Sequence, residues 1–179
     1  MANYTQSLII DTFNSMLERM PFDKITVTSL IKECKIGRNT FYYHYDDIYA
    51  LLDESLTRWL NSYLESEADE SWKDVAKSIL HSCKDNKRKI YHVYNSLSRD
   101  QICFYVFERI SQTIALYIEE YAAMFSGDIE RAKLVSEMIT YTICGYFMRF
   151  LWNDMQDDID ESVDKLALVL DELLEGLII

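Results

Sequence analysis

Glycine and proline are scarce, at four and one of 179 residues. So few breakers exclude a chain cut into many short pieces and leave long uninterrupted elements. Strand-type alternation is hard to find, while apolar residues recur at three- and four-residue spacing. The expected fold class is all-α. The four cysteines, Cys34, Cys83, Cys103 and Cys144, contain no CxxC pair and sit inside apolar patterns. They read as buried thiols of a reducing compartment. A charged-then-apolar leader is missing at the N-terminus. The longest apolar-rich run, Thr140 to Trp152, contains Arg149 and is too short to span a bilayer. A cytoplasmic protein without a membrane partner is expected.

Catalytic signatures are missing too. No Ser-His-Asp set or Gly-rich phosphate loop occurs, and the three histidines lack evident partners. We expect no enzyme and no cofactor. His81-x-Cys83 with His92 falls short of the four ligands of a zinc site. The run DDIDE at 157–161 lacks the glycine of a calcium loop and reads as a solvated linker. No metal is expected.

What is present is acid, and it is unevenly spread. The net charge is −12. Residues 1–45 hold five Lys or Arg against four Asp or Glu, whereas residues 46–179 hold thirteen against twenty-six. A near-neutral module precedes an acidic body, so the overall charge does not exclude nucleic acid for the first part.

The pattern along the chain predicts about nine helices. The first covers about Tyr4 to Met20 and stops at Pro21. Thr26 reads as an N-cap, with Ile25 and Leu30 at the positions of a hydrophobic staple. The second helix is Val27 to Cys34, barely two turns. Lys35-Ile36-Gly37 is a tight connection, and Gly37 serves as the next N-cap. A third helix runs from Arg38 to about Tyr45, which completes a helix-turn-helix. Asp46-Asp47 caps a longer fourth helix. Ser71 with Asp74 fits a capping box for the fifth. A short helix ends near Leu97, and a long one reaches about Phe125. The last two, about Ile129 to Met155 and Glu161 to Leu177, are apolar on more than one face. Such helices need cover on every side, and a second copy of the chain is the expected cover.

The stretch KIGRNTFYYHY concentrates rings at Phe41 to Tyr45. Phe41 and Tyr45 share a face and, with Ile36, point into a small core. Arg38, Tyr42 and Tyr43 then project outward, with Asn39 and Thr40 near the helix start. A guanidinium, an amide, a hydroxyl and two phenols are groups that contact base edges and phosphates. The other reading of the same spacing is a small-bundle core with surface tyrosines.

Residues 25–52, ITVTSLIKECKIGRNTFYYHYDDIYALL, resemble the DNA-binding signature of TetR-type transcriptional regulators. The resemblance covers about the first sixty residues. It implies a DNA-binding domain at 1–46 and a helical ligand-sensing and dimerisation domain at 47–179. It also implies a homodimer through the last two helices on a palindromic double-stranded operator. A small effector in the body would then shift or release a repressor. By position it places Thr28, Arg38, Asn39, Thr40, Tyr42, Tyr43 and His44 at the DNA. Arg38 suits a guanine edge. Two departures stand out. The family usually has Gly where this chain has Lys35. A left-handed backbone there costs about 1 kcal/mol or more, so a differently shaped turn is expected. The family often has Lys where this chain has Ile48, which removes a phosphate contact. TFYYH and VYNSLSRDQI (93–102) are also similar to a branch whose activators answer to partner proteins, such as those of dihydroxyacetone-kinase operons. That similarity implies an alternative, a partner-controlled activator or co-activator of the same fold.

For an effector pocket, His92, Phe104, Tyr105, Tyr141 and Trp152 are the candidate ligand residues, as aromatic and polar groups among aliphatic neighbours.

Overall fold

The fold is that of a computed structural model, which describes residues 2–66, 71–124 and 129–175. Every regular element among them is helical. In order these are α1 (Ala2–Arg19), a 3-10 turn (Phe22–Lys24), α2 (Val27–Cys34), α3 (Arg38–His44), α4 (Ile48–Ser66), α5 (Trp72–Asp85), α6 (Lys87–Tyr94), α7 (Arg99–Met124), α8 (Ile129–Trp152) and α9 (Ile159–Glu175). The predicted termini of the long helices at Phe125 and Leu177 lie outside the described residues. No described helix is long and apolar enough to cross a membrane.

The chain divides into two compact units. The first comprises Met1–Glu70 and Ser82–Ser98, the second Ser71–His81 and Arg99–Ile179. By compactness, then, the first unit takes in α4 and α6 as well as the three helices of the 1–46 head.

The core of the first unit gathers Ile9, Phe13, Leu17, Leu30, Phe41, Leu51 and Leu52, all fully or almost fully buried. Local chemistry sets its helix ends. Thr26 Oγ1 accepts the Ser29 N–H at 3.1 Å, and Ser29 Oγ accepts the Thr26 N–H at 3.0 Å. This reciprocal box closes the start of α2, with Ile25 and Leu30 buried on either side as the staple requires. Asp47 Oδ1 accepts the N–H groups of Tyr49 and Ala50, each at 2.8 Å, and so starts α4. Buried Ser55 donates to Asn14 Oδ1 at 3.0 Å, tying α4 to α1.

The turn between α2 and α3 corrects one expectation. Lys35 does adopt the left-handed conformation, at φ 57° and ψ 39°. The compensation is the closure beyond it. The Ile36 N–H donates to the Ile31 carbonyl at 3.1 Å, and Ile36 packs against the core. Lys35→Gly is therefore expected to raise stability by about 1 kcal/mol, because glycine takes this conformation without steric cost. Urea denaturation would check it. An unchanged or lower midpoint would mean that the strain is relieved in some other way.

In the second unit, Ala132, Ile139 and Leu170 are buried together, with Trp72, Ile114, Val135, Ile143 and Leu166 packed around them. Along its surface, α5 and α9 carry matched charges. Lys73 pairs with Asp171 at 3.4 Å, Lys77 with Asp164 at 2.8 Å, and His81 Nε2 lies 3.5 Å from Asp160. The rising numbers on one helix meet falling numbers on the other, so the two run antiparallel. The α8 terminus closes with left-handed Asp154 and with the Met155 N–H donating to the Phe150 carbonyl at 2.9 Å. Met155 is fully buried there, which is why α8 stops at Trp152 rather than at the predicted Met155.

Candidate nucleic-acid interface

Helix α3 has only seven residues and is too short to persist alone. Its inner side holds it. Phe41 is 0% exposed and Tyr45 almost fully buried, with ring centroids 5.7 Å apart. The Tyr45 hydroxyl is enclosed, and burial pushes its pKa up. The outer side is open. Tyr43 is 79% exposed, Tyr42 is exposed, and so are Arg38 and Asn39. Thr40 and His44 are half-buried, and Thr28 is exposed on α2. Helical spacing turns 38, 42 and 43 away from Phe41, while Tyr45, the extended residue just past α3, packs back onto the Phe41 ring.

Ring contacts limit how far the outer groups swing. The Arg38 guanidinium carbon lies 5.7 Å from the centre of the Tyr42 ring, and Tyr43 meets His44 edge-on at 5.0 Å. Arg38 thus sits over an aromatic ring within cation–π range while remaining exposed. Lys32 and Lys35 are further exposed cations on α2 and its turn. They are additional candidates for phosphate contact. Their charge is the sequence signal for that role. Ile48, at the position where a lysine was expected from resemblance, packs half-buried against the core.

The ligand candidates do not line the cavity described in the second unit. That cavity, 220 Å³ in volume, lies between Phe107, Ser111 and Ala115 of α7 and Lys133, Ser136, Glu137 and Thr140 of α8. Phe104, Tyr141 and Trp152 are each more than half exposed, and Tyr105 is half-buried. Neighbours such as 104 and 105 point about 100° apart on a helix, so a cluster in sequence is not a cluster in space. His92 belongs to the first unit. Its Nδ1–H donates to the Leu17 carbonyl at 2.6 Å, which occupies a carbonyl in the last turn of α1 that lacks a helical partner.

A helix-turn-helix with an open outer face, joined to an all-helical body, is the build of a DNA-binding regulator. The family model described as the transcriptional regulator C-terminal region, of TetR type, matches residues 70–172. The chain belongs to the TetR family of transcriptional regulators. No curated protein matches it significantly. Among solved structures it is similar to the dihydroxyacetone kinase operon activator DhaS, at 15% identity and a TM-score of 0.64, with 97% of each chain covered. It is also similar to the TetR family repressor AlkX from Dietzia, at 14% identity and TM-score 0.61, again with 97% of each chain covered. A TetR transcriptional regulator from Streptococcus agalactiae matches at 17% identity and TM-score 0.57, covering 98% of this chain and 94% of the other. At these identities the likeness concerns the fold.

Proposed function

We propose that this chain is a homodimeric one-component regulator that binds a palindromic operator through residues 1–46. In this reading a small effector in the body, 47–179, releases it as a repressor. The observation that carries the reading is the two-sided α3, with Phe41 and Tyr45 buried behind exposed Arg38, Tyr42 and Tyr43. Arg38 reads a guanine edge, Tyr43 packs on a thymine methyl or bonds a phosphate, and Thr28, Asn39, Thr40, Tyr42 and His44 position the backbone. Leu134, Met138 and Tyr141 form an exposed stripe on α8, and Leu168 and Val169 are exposed on α9. These residues supply the apolar surface on which a second copy seats.

Selection from random duplex DNA, followed by footprinting, tests this. The expected winner is a palindrome whose half-sites lie about 34 Å apart, one helical turn. An asymmetric site, or no enrichment at low salt, would overturn the proposal.

A second reading, control by a partner protein, draws on the likeness of fold to the dihydroxyacetone kinase operon activator DhaS. In that case the chain acts as an activator or co-activator, as the name of the DhaS relative states for that protein.

A further inference from the structure

The four cysteines, alike in the sequence pattern, separate into two kinds. Cys34 and Cys83 are buried in the first unit, where burial raises both thiols, Cys83 to about 12. They are inert by enclosure. Cys103, expected to be buried, is exposed on α7, and Cys144 is half-buried on α8.

The packing of α7 on α8 brings these two together. The Phe107 and Tyr141 rings meet at 5.1 Å between centroids. Along the same seam lie Phe107, Ser111 and Ala115 of α7 and Lys133, Ser136, Glu137 and Thr140 of α8. Only residues 125–128 separate the end of α7 from the start of α8, so helices packed along this seam run antiparallel. From Phe107, four residues back is Cys103. From Tyr141, three residues on is Cys144. Steps of four and three stay on one helix face, so the thiols oppose each other one turn beyond the ring pair. Packed helices lie about 8–10 Å apart, with Cα atoms on cylinders of about 2.3 Å radius. Directly facing Cα atoms then approach to about 3.4–5.4 Å, which overlaps the roughly 4.4–6.8 Å that a disulfide spans.

We propose that Cys103 and Cys144 form a reversible peroxide-responsive dithiol that closes to a disulfide between α7 and α8. Exposed Cys103 is the attacking thiol. Its thiolate attacks one oxygen of a hydroperoxide such as hydrogen peroxide. The O–O bond breaks, the sulfur is oxidised to a sulfenic acid, and the departing hydroxide takes a proton to become water. The Cys144 sulfur then attacks that sulfenic sulfur. The S–S bond forms, the S–O bond breaks, and hydroxide leaves with the thiol proton as a second water. Two thiols and one peroxide give one disulfide and two waters. Half-buried Cys144 takes the second role by its position. Its thiol is pushed up to about 11, first by burial and then by Cys103, so it attacks through a small thiolate fraction and closure should quicken as pH rises. This inference stands apart from DNA binding.

The test uses the full chain, hydrogen peroxide, and alkylation of remaining thiols followed by peptide mass spectrometry. Two of the four thiols should disappear, with one peptide pair joined at Cys103 and Cys144 within a single chain and released by dithiothreitol. In Cys144→Ser the Cys103 sulfenic acid should persist and be trapped by dimedone. In Cys103→Ser, Cys144 should remain alkylatable. A bridge between two chains, oxidation that stops at Cys103 in the unsubstituted protein, or equal loss of Cys34 and Cys83 would overturn the proposal. The unsubstituted protein alone decides the first point, so a variant that folds poorly does not obscure it.

Discussion

Phe41→Ala is expected to destabilise the first unit by about 3–5 kcal/mol, the cost of deleting a large, fully enclosed aromatic side chain. Phe41 is 0% exposed and meets the rings of Tyr42 and Tyr45 at 5.4 Å and 5.7 Å. Whole domains hold only about 5–15 kcal/mol, so the loss is a large share of what keeps this unit folded. The effect on function is indirect. Seven-residue α3 has no stability of its own, and without the ring behind it the outer groups lose their fixed direction. DNA affinity should fall with folding although Phe41 never touches DNA. Urea unfolding followed by circular dichroism would measure it. Phe41→Leu refills part of the volume and should cost less. An alanine variant within about 1 kcal/mol of the unsubstituted protein would mean that the site collapses onto the gap.

Arg38→Ala is expected to do the opposite. The residue is exposed, so stability should stay within about 0.5 kcal/mol. Binding to the selected operator should weaken by about 1–3 kcal/mol, and discrimination should relax at a single base pair of each half-site. That range corresponds to about 5- to 150-fold. Arg38→Lys keeps the cation but loses the planar fork, so it should restore much of the salt dependence without restoring the base preference. Fluorescence anisotropy on the operator and on single-base variants separates the outcomes. Equal weakening on every sequence would make Arg38 a phosphate contact rather than a reader of bases.

Much of the head was legible because its determinants are local. Thr26 and the Ile25–Leu30 pair lie within six residues, and α2 begins where they predict, at Val27. Asp47 starts α4 by bonding N–H groups two and three residues on. The inward turn of Phe41, away from Arg38, Tyr42 and Tyr43, followed from helical spacing. Lys35 shows where this logic stops. Local preference argued against a left-handed lysine, yet the Ile36–Ile31 closure and the burial of Ile36 impose that conformation.

The candidate sites of the body were less legible. Periodicity says which residues share a face but not whether that face is covered. Cys103 and Cys144 share the apolar pattern of core thiols, yet Cys103 is exposed and Cys144 half-buried. His92 looked unpartnered because the carbonyl it bonds, that of Leu17, is 75 residues away. The Lys77–Asp164 pair likewise joins helices far apart in sequence.

Helix type, the capped helix starts of the head and the two-sided character of α3 were written in the amino-acid order itself, because caps, staples and i to i+4 contacts act over a single turn. The left-handed Lys35, the capping by His92, the charge pairs of α5 and α9, and the meeting of the α7 and α8 cysteines were decided only by tertiary packing. They depend on which distant helix lies alongside, in which direction and in which register, and no interaction within one turn carries that information.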